Sequence, residues 1–109
     1  MTLREARVKF SYLFAEKLLP KARELGFEYA FDEVTNNESV GHRPGSVHYS
    51  GCGGDLILYK NGIYLKKTEE YKELGEYWES LDPDCKWGGR WGDGNHFSFA
   101  PIEIFGGRK

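Results

Sequence analysis

Apolar residues recur near helical spacing at the start of the chain, at Leu3, Ala6, Phe10, Leu13, Phe14 and Ala15, so an amphipathic helix is predicted there. Thr2 and Glu5 precede the stripe with the spacing of a capping box, in which each side chain takes a backbone N–H that the first turn leaves open. Pro20 lacks an N–H and its ring crowds the preceding turn, so a kink or break is expected near Leu19. The periodicity resumes through Ala22 and Leu25, and Gly26 supplies a stop. The apolar face is assigned to burial against a sheet, with a partner surface as the alternative.

The pattern then changes. Phe27 to Val34 reads as a short strand, and Thr35 to Ser50 as a positioned loop rich in turn-forming residues. Asp55 to Lys60, Asn61-Gly62 and Ile63 to Leu65 predict a hairpin, with Asp55 at the beginning of its first strand. Thr68 is the expected cap of a second helix carrying Glu69 and Glu70 in its first turn. That helix presents Tyr71, Leu74, Gly75, Trp78 and Leu81 on one face and stops before Pro83. Trp78 is expected in the core, a ligand platform being its other role. Trp87 to Gly92 forms a glycine-rich turn, and Phe97 to Ala100 a strand expected to run on past Pro101 toward Ile104 and Phe105.

A length of 109 residues suits one compact domain, 1–109, with little room for a second core. Seventeen acidic against fifteen basic residues, mixed along the chain, leave no basic stripe, so nucleic acid is not an expected partner. Cys52 and Cys85 are too few for a disulfide scaffold and form no CxxC; reduced core thiols and a single disulfide both remain open. With neither a signal-peptide run nor a membrane-spanning stretch, the chain is expected to be a monomer made in the cytoplasm, reaching any external substrate after release by another factor.

The candidate chemistry lies in two short stretches. His48 and Asp55 stand seven residues apart, and Asp93 stands three before His96. Nitrogen and oxygen donors of this kind suit zinc, and three ligands, His48, Asp55 and His96, leave an open position for water or substrate. Asp93 is then surplus to the metal. It is placed to accept a proton from the attacking water and pass it to a leaving amine while zinc polarises the carbonyl, which fits amide hydrolysis. By spacing alone, hydrogen-bonded structural roles compete with this assignment.

The wider pattern, Ser46-x-His48-x-x-Gly51-x-Gly53-x-Asp55 followed by Trp87-Gly88-Gly89 and Asp93-x-x-His96-Phe97, resembles the zinc-dependent bacterial cell-wall peptidases. Within them the likeness is to the D-alanyl-D-alanine carboxypeptidase and phage L-alanyl-D-glutamate endopeptidase group. It extends from the first helix through the Asp93 to Phe97 motif. The resemblance implies an α+β fold of the Hedgehog/DD-peptidase type, a small antiparallel sheet carrying the zinc site and packed against helices. It also implies His48, Asp55 and His96 as zinc ligands, Asp93 as catalytic base, and peptidoglycan stem peptides as substrates. Gly53 stands where the family commonly has alanine, and Val34-Thr35-Asn36 stands where an Arg-Thr element is usual.

Arg43 is the first candidate to replace that arginine at a substrate carboxylate or oxyanion, and Arg90 competes with it; for either, a surface charge is the plainer role. Ser46 is expected to orient His48 or its loop. Tyr49, Trp87 and Trp91 are candidates to line a peptide groove, with core packing as their alternative, and His42 is expected to be a loop residue. The resulting expectation is a zinc metallopeptidase of cell-wall peptides, of phage or bacterial origin. The alternatives are a noncatalytic zinc-stabilised wall-binding or phage structural module, and a peptidase of ordinary short peptides.

Overall fold

The computed structural model describes residues 1–32 and 51–106, and these form a mixed α+β fold in which a small, open antiparallel sheet packs against helices. Helix α1 (Leu3–Leu13) begins with the expected capping box: Glu5 N–H donates to Thr2 Oγ1 at 3.1 Å, and Thr2 N–H to Glu5 Oε1 at 2.7 Å. The helix does not break at Pro20. A π-helical turn over Phe14–Leu18 carries the chain into α2 (Leu19–Glu24), and Leu19 N–H reaches back to the Phe14 carbonyl. The wider turn gives the proline ring room that α geometry denies it. Gly26 ends α2 at φ +90°, with Gly26 N–H on Arg23 O and Phe27 N–H on Ala22 O, the paired bonds of a Schellman motif.

Strand β1 (Glu28–Phe31) pairs with β2 (Gly53–Lys60), which turns through Asn61 and Gly62 into β3 (Ile63–Tyr64). Both turn residues take positive φ, 52° and 77°, as the Asn-Gly pair requires. A 3₁₀ turn, Thr68–Tyr71, leads into α3 (Lys72–Leu81). Thr68 is not its cap: the flanking Lys67 N–H is satisfied by Glu70 Oε1 at 3.0 Å, and Thr68 packs instead against Gly94. Strand β4 (Cys85–Trp87), a 3₁₀ turn over Gly88–Trp91 and β5 (His96–Phe99) follow. After Pro101 the chain forms α4 (Ile102–Phe105), a helical turn where a continuing strand was expected. Pro101 cannot donate to a ladder, and the N–H groups of Ile104 and Phe105 bond to its carbonyl instead.

The sheet order is β1-β2-β5-β4, with β3 beside β2. Alternation divides its faces. One face presents Leu56, Phe97, Phe99, Cys85 and Trp87 to the helices, where Trp78 is fully buried, meets Phe10, Phe14 and Phe97 edge-on and donates Nε1–H to the Ser98 carbonyl at 2.9 Å. Gly54 lies on this face because Phe14 fills the space of a side chain: a Cβ would come 3.3 Å from its ring. Asp55, next in the strand, consequently points to the other face with His96 and Ser98. No helix among the described residues is long and apolar enough to cross a membrane.

Candidate metal and catalytic site

Strands β2 and β5 place Asp55 directly opposite His96, and the ladder continues past them through Leu56 N–H on Asn95 O at 2.9 Å. Asp55 Oδ1 lies 3.2 Å from His96 Nδ1, with the side chains only 15% and 6% exposed. That separation serves a direct hydrogen bond. It also matches the roughly 3.3 Å between two corners of a tetrahedral zinc site with bonds near 2.0 Å. One buried carboxylate oxygen beside one imidazole nitrogen supplies two donors of the kinds zinc accepts.

Asp93 is held by a turn with three anchors. Gly92 takes φ +84°, Asp93 N–H donates to Gly88 O at 2.8 Å, and the Asp93 carbonyl accepts from His96 N–H at 3.2 Å. A side chain at Gly88 would meet Asp93 O at 2.2 Å and His96 Cβ at 2.7 Å, so only glycine permits the turn to close. Trp87 Nε1–H, donated to Gly94 O at 2.7 Å, fixes the far side. The turn thus fixes the backbone of an exposed Asp93 against that of the buried His96.

The three remaining described candidates occupy different surroundings. Trp87 is 3% exposed and lies between Gly75 and Gly89, at each of which a Cβ would fall about 2 Å from the indole; its place is the core, and what it offers the site is support. Trp91 is 38% exposed, with its ring centroid 5.8 Å from that of His96, which makes it the indole at the mouth of the site. Arg90 donates through Nε and Nη2 to Glu79 at 3.0 and 2.6 Å and stacks over Trp87, a bidentate pairing that raises its pKa and ties its turn to α3. His48, Arg43, Ser46 and Tyr49, with His42, lie outside the described residues. Among the described residues no three His, Cys, Asp or Glu side chains converge; Asp55 and His96 are two of the three expected ligands.

Other features were not anticipated. The Tyr71 hydroxyl accepts from Leu58 N–H at 3.1 Å and donates to Leu65 O at 2.9 Å, bridging β2 and the end of β3 where the ladder stops. Above it a groove of about 180 Å³ runs from Tyr64–Lys66 and Thr68 to the turn of residues 92–95 that carries Asp93. Ser98 Oγ is fully buried with no hydrogen-bond partner among the described residues, and lies on the face of β5 that carries His96. The Phe-Ser-Phe alternation held that signal for Ser98; nothing local announced the groove.

A scan of protein-family models found no match to this sequence, and a search of curated proteins likewise found none.

Proposed function

We propose that the protein is a zinc-dependent amide hydrolase acting on peptidoglycan stem peptides, with a sheet-borne metal site of the Hedgehog/DD-peptidase type. The observation that carries this reading is the cross-strand pair Asp55 and His96, with the rigid turn that sets Asp93 beside it. A structural hydrogen bond between Asp55 and His96 would need no second acidic group on an exposed, thrice-anchored turn. The residue pattern adds His48 as the third ligand and peptide stems as the substrate class.

In this reading Asp55, His96 and His48 hold the ion. Zinc, when bound, supplies Lewis acidity toward the scissile carbonyl and acidifies water. Asp93 takes the proton from the attacking water and returns it to the nitrogen of the leaving amine as the C–N bond breaks. Burial of His96 and Asp55 keeps competing solvent from their donor atoms, and Trp91 covers one approach to the imidazole. Arg43 remains the first candidate for an anion anchor.

Mass spectrometry of purified peptidoglycan digested with zinc-supplemented protein tests the proposal. One defined stem-peptide cut, absent for Asp93→Ala and after chelation, is expected and identifies the bond. Zinc retention with no cleavage of wall or soluble stems would leave a noncatalytic wall-binding module.

A further inference from the structure

The β2–β3 hairpin is a cationic element in a mildly acidic protein. From Leu56 to Thr68 the chain holds Lys60, Lys66 and Lys67 and no carboxylate, against a net charge of -2 for the whole. All three lysines are exposed, and among the described residues none of them forms an ion pair, whereas Lys9, Lys21 and Arg90 each do. Rings hold two of the ammonium groups: Lys60 Nζ lies 5.0 Å from the Phe27 ring centroid, and Lys66 Nζ 5.5 Å from that of Tyr64. Between the lysines stand Ile63, 65% exposed, and Tyr64, 50% exposed. The tip also stands clear of the body, since a Cβ at Gly62 would meet no described atom within 4 Å beyond its chain neighbours. Glu28 lies behind the tip in register with Tyr59, and the Glu70 carboxylate is engaged by Lys67 N–H.

We propose that the β2–β3 tip is a docking element for an anionic lipid surface. Ile63 and Tyr64 enter the headgroup boundary, while Lys60, Lys66 and Lys67 meet the lipid phosphates. The strand register sets this arrangement. Ile63 pairs with Lys60 and Tyr64 with Tyr59, so each face of the hairpin offers an exposed apolar residue beside a lysine, Ile63 with Lys60 on one and Tyr64 with Lys66 on the other. A soluble polyanion would use the ammonium groups alone and leave Ile63 in water. A bilayer boundary accepts both kinds of group: the tyrosine ring and hydroxyl suit the headgroup layer, and lysine stems lie along apolar surface with the ammonium still hydrated. The tip is built before it docks. Its Asn61-Gly62 turn is closed, and Tyr71 ties Leu58 N–H to Leu65 O across the hairpin's base, so binding orders little new chain. Salt screens charges beyond about 10 Å at 0.1 M, so the acidic remainder of the protein does not cancel the local attraction. Docking needs neither zinc nor hydrolysis and stands apart from the function proposed above.

The test is flotation of the full chain with vesicles of equal parts phosphatidylglycerol and phosphatidylcholine, and with vesicles of phosphatidylcholine alone. Wild type is expected to bind the anionic vesicles in about 0.1 M salt and the neutral ones at least about tenfold more weakly. Lys60→Ala and Lys67→Ala should each weaken anionic binding about fivefold, and Ile63→Ser about tenfold. Ile63→Trp should bind at least as tightly as wild type. Lys86→Ala is the control: Lys86 lies in register with Ser98 and Gly53 at the far end of β2, and its loss should change nothing. Thermal melts confirm that each variant is folded. No binding to anionic vesicles, equal binding to both kinds, or a Lys86→Ala loss as large as that of Lys60→Ala would overturn the proposal. So would anionic binding that ignores Ile63→Ser and is competed away by a single-stranded oligonucleotide, an outcome that would give the tip to a soluble phosphate polymer instead.

Discussion

Asp55 and His96 meet across β2 and β5 with Oδ1 and Nδ1 3.2 Å apart, although 41 positions separate them in the chain. Two donors held by the sheet require little reorganisation to take an ion. Changing groups that merely orient ligands commonly weakens metal binding 10–100-fold. Asp55→Ala or His96→Ala should therefore cost more than about 100-fold in zinc affinity, measured by competition with a chromophoric chelator. Thermal melts without zinc would show how much of any loss reflects the fold.

Trp87 supports the turn that carries Asp93, so small changes around it should act at a distance. Gly75→Ala would drive a methyl into the indole, where the ideal Cβ lies 2.1 Å from Cδ2. Overpacking of this kind costs about 1–3 kcal/mol or more, read by urea denaturation. Trp87→Phe should cost at least about 1 kcal/mol through the lost bond to Gly94 O, and should lower turnover by loosening the Asp93 turn.

Cys52 and Cys85 are both buried, and neither forms a disulfide. Phe99 N–H donates to Cys52 O on one side, while Cys85 pairs with Phe99 on the other, so two strand spacings, roughly 9–10 Å, separate the cysteines. This exceeds the reach of a disulfide, about 7 Å between Cα atoms. Burial raises both thiol pKa values, that of Cys85 to about 12. Neither should react readily with a thiol reagent at pH 8 in the folded protein, and both should react after denaturation.

Lys9 Nζ lies 2.8 Å from Asp82 Oδ2 and joins α1 to the end of α3. The hydrogen bond to Asp82 raises the Lys9 pKa. Burial pushes Asp82 upward, but Lys9 and the Asp84 N–H outweigh it and hold its carboxyl below the ordinary value. The Asp82 contribution is complete above the ordinary carboxylate pKa of about 3.9 and is lost as pH falls through the lowered one. That of Lys9 is complete below the ordinary lysine pKa of about 10.4 and is lost as pH rises through the raised one. Lys9→Met should destabilise by no more than about 1 kcal/mol near neutrality, since the ammonium is well exposed, and the difference from wild type should close at both extremes in pH-dependent melts.

Local rules carried much of the fold. The Thr2–Glu5 box, Gly26, the Asn61-Gly62 turn and the stripe from Tyr71 to Trp78 each act through neighbours in sequence, and each appears where its chemistry requires. Misreadings arose where tertiary contacts decided. Thr68 packs against Gly94 instead of capping a helix, while the interruption expected near Leu19 takes the form of a π turn over Phe14–Leu18 and not of a break in the helical run. The residues after Pro101 curl into a helical turn. At the site, the sequence supplied the donor types, but the register that sets Asp55 opposite His96 depends on Gly54 admitting Phe14 beneath the sheet. Trp87 and Trp91 looked alike in a glycine-rich turn; only packing distinguishes the buried support from the indole beside the histidine. The groove carried no local signal, because it exists only after β3 and the Asp93 turn come together.

The most direct measurement is zinc content and hydrolysis on the same preparations of wild type, Asp93→Ala and His96→Ala, using a soluble stem peptide. The expected result is one zinc per chain in wild type and Asp93→Ala, little in His96→Ala, and cleavage by wild type alone. Stem-peptide cleavage that persists in Asp93→Ala, or wild-type protein that binds no zinc, would contradict the zinc-peptidase reading.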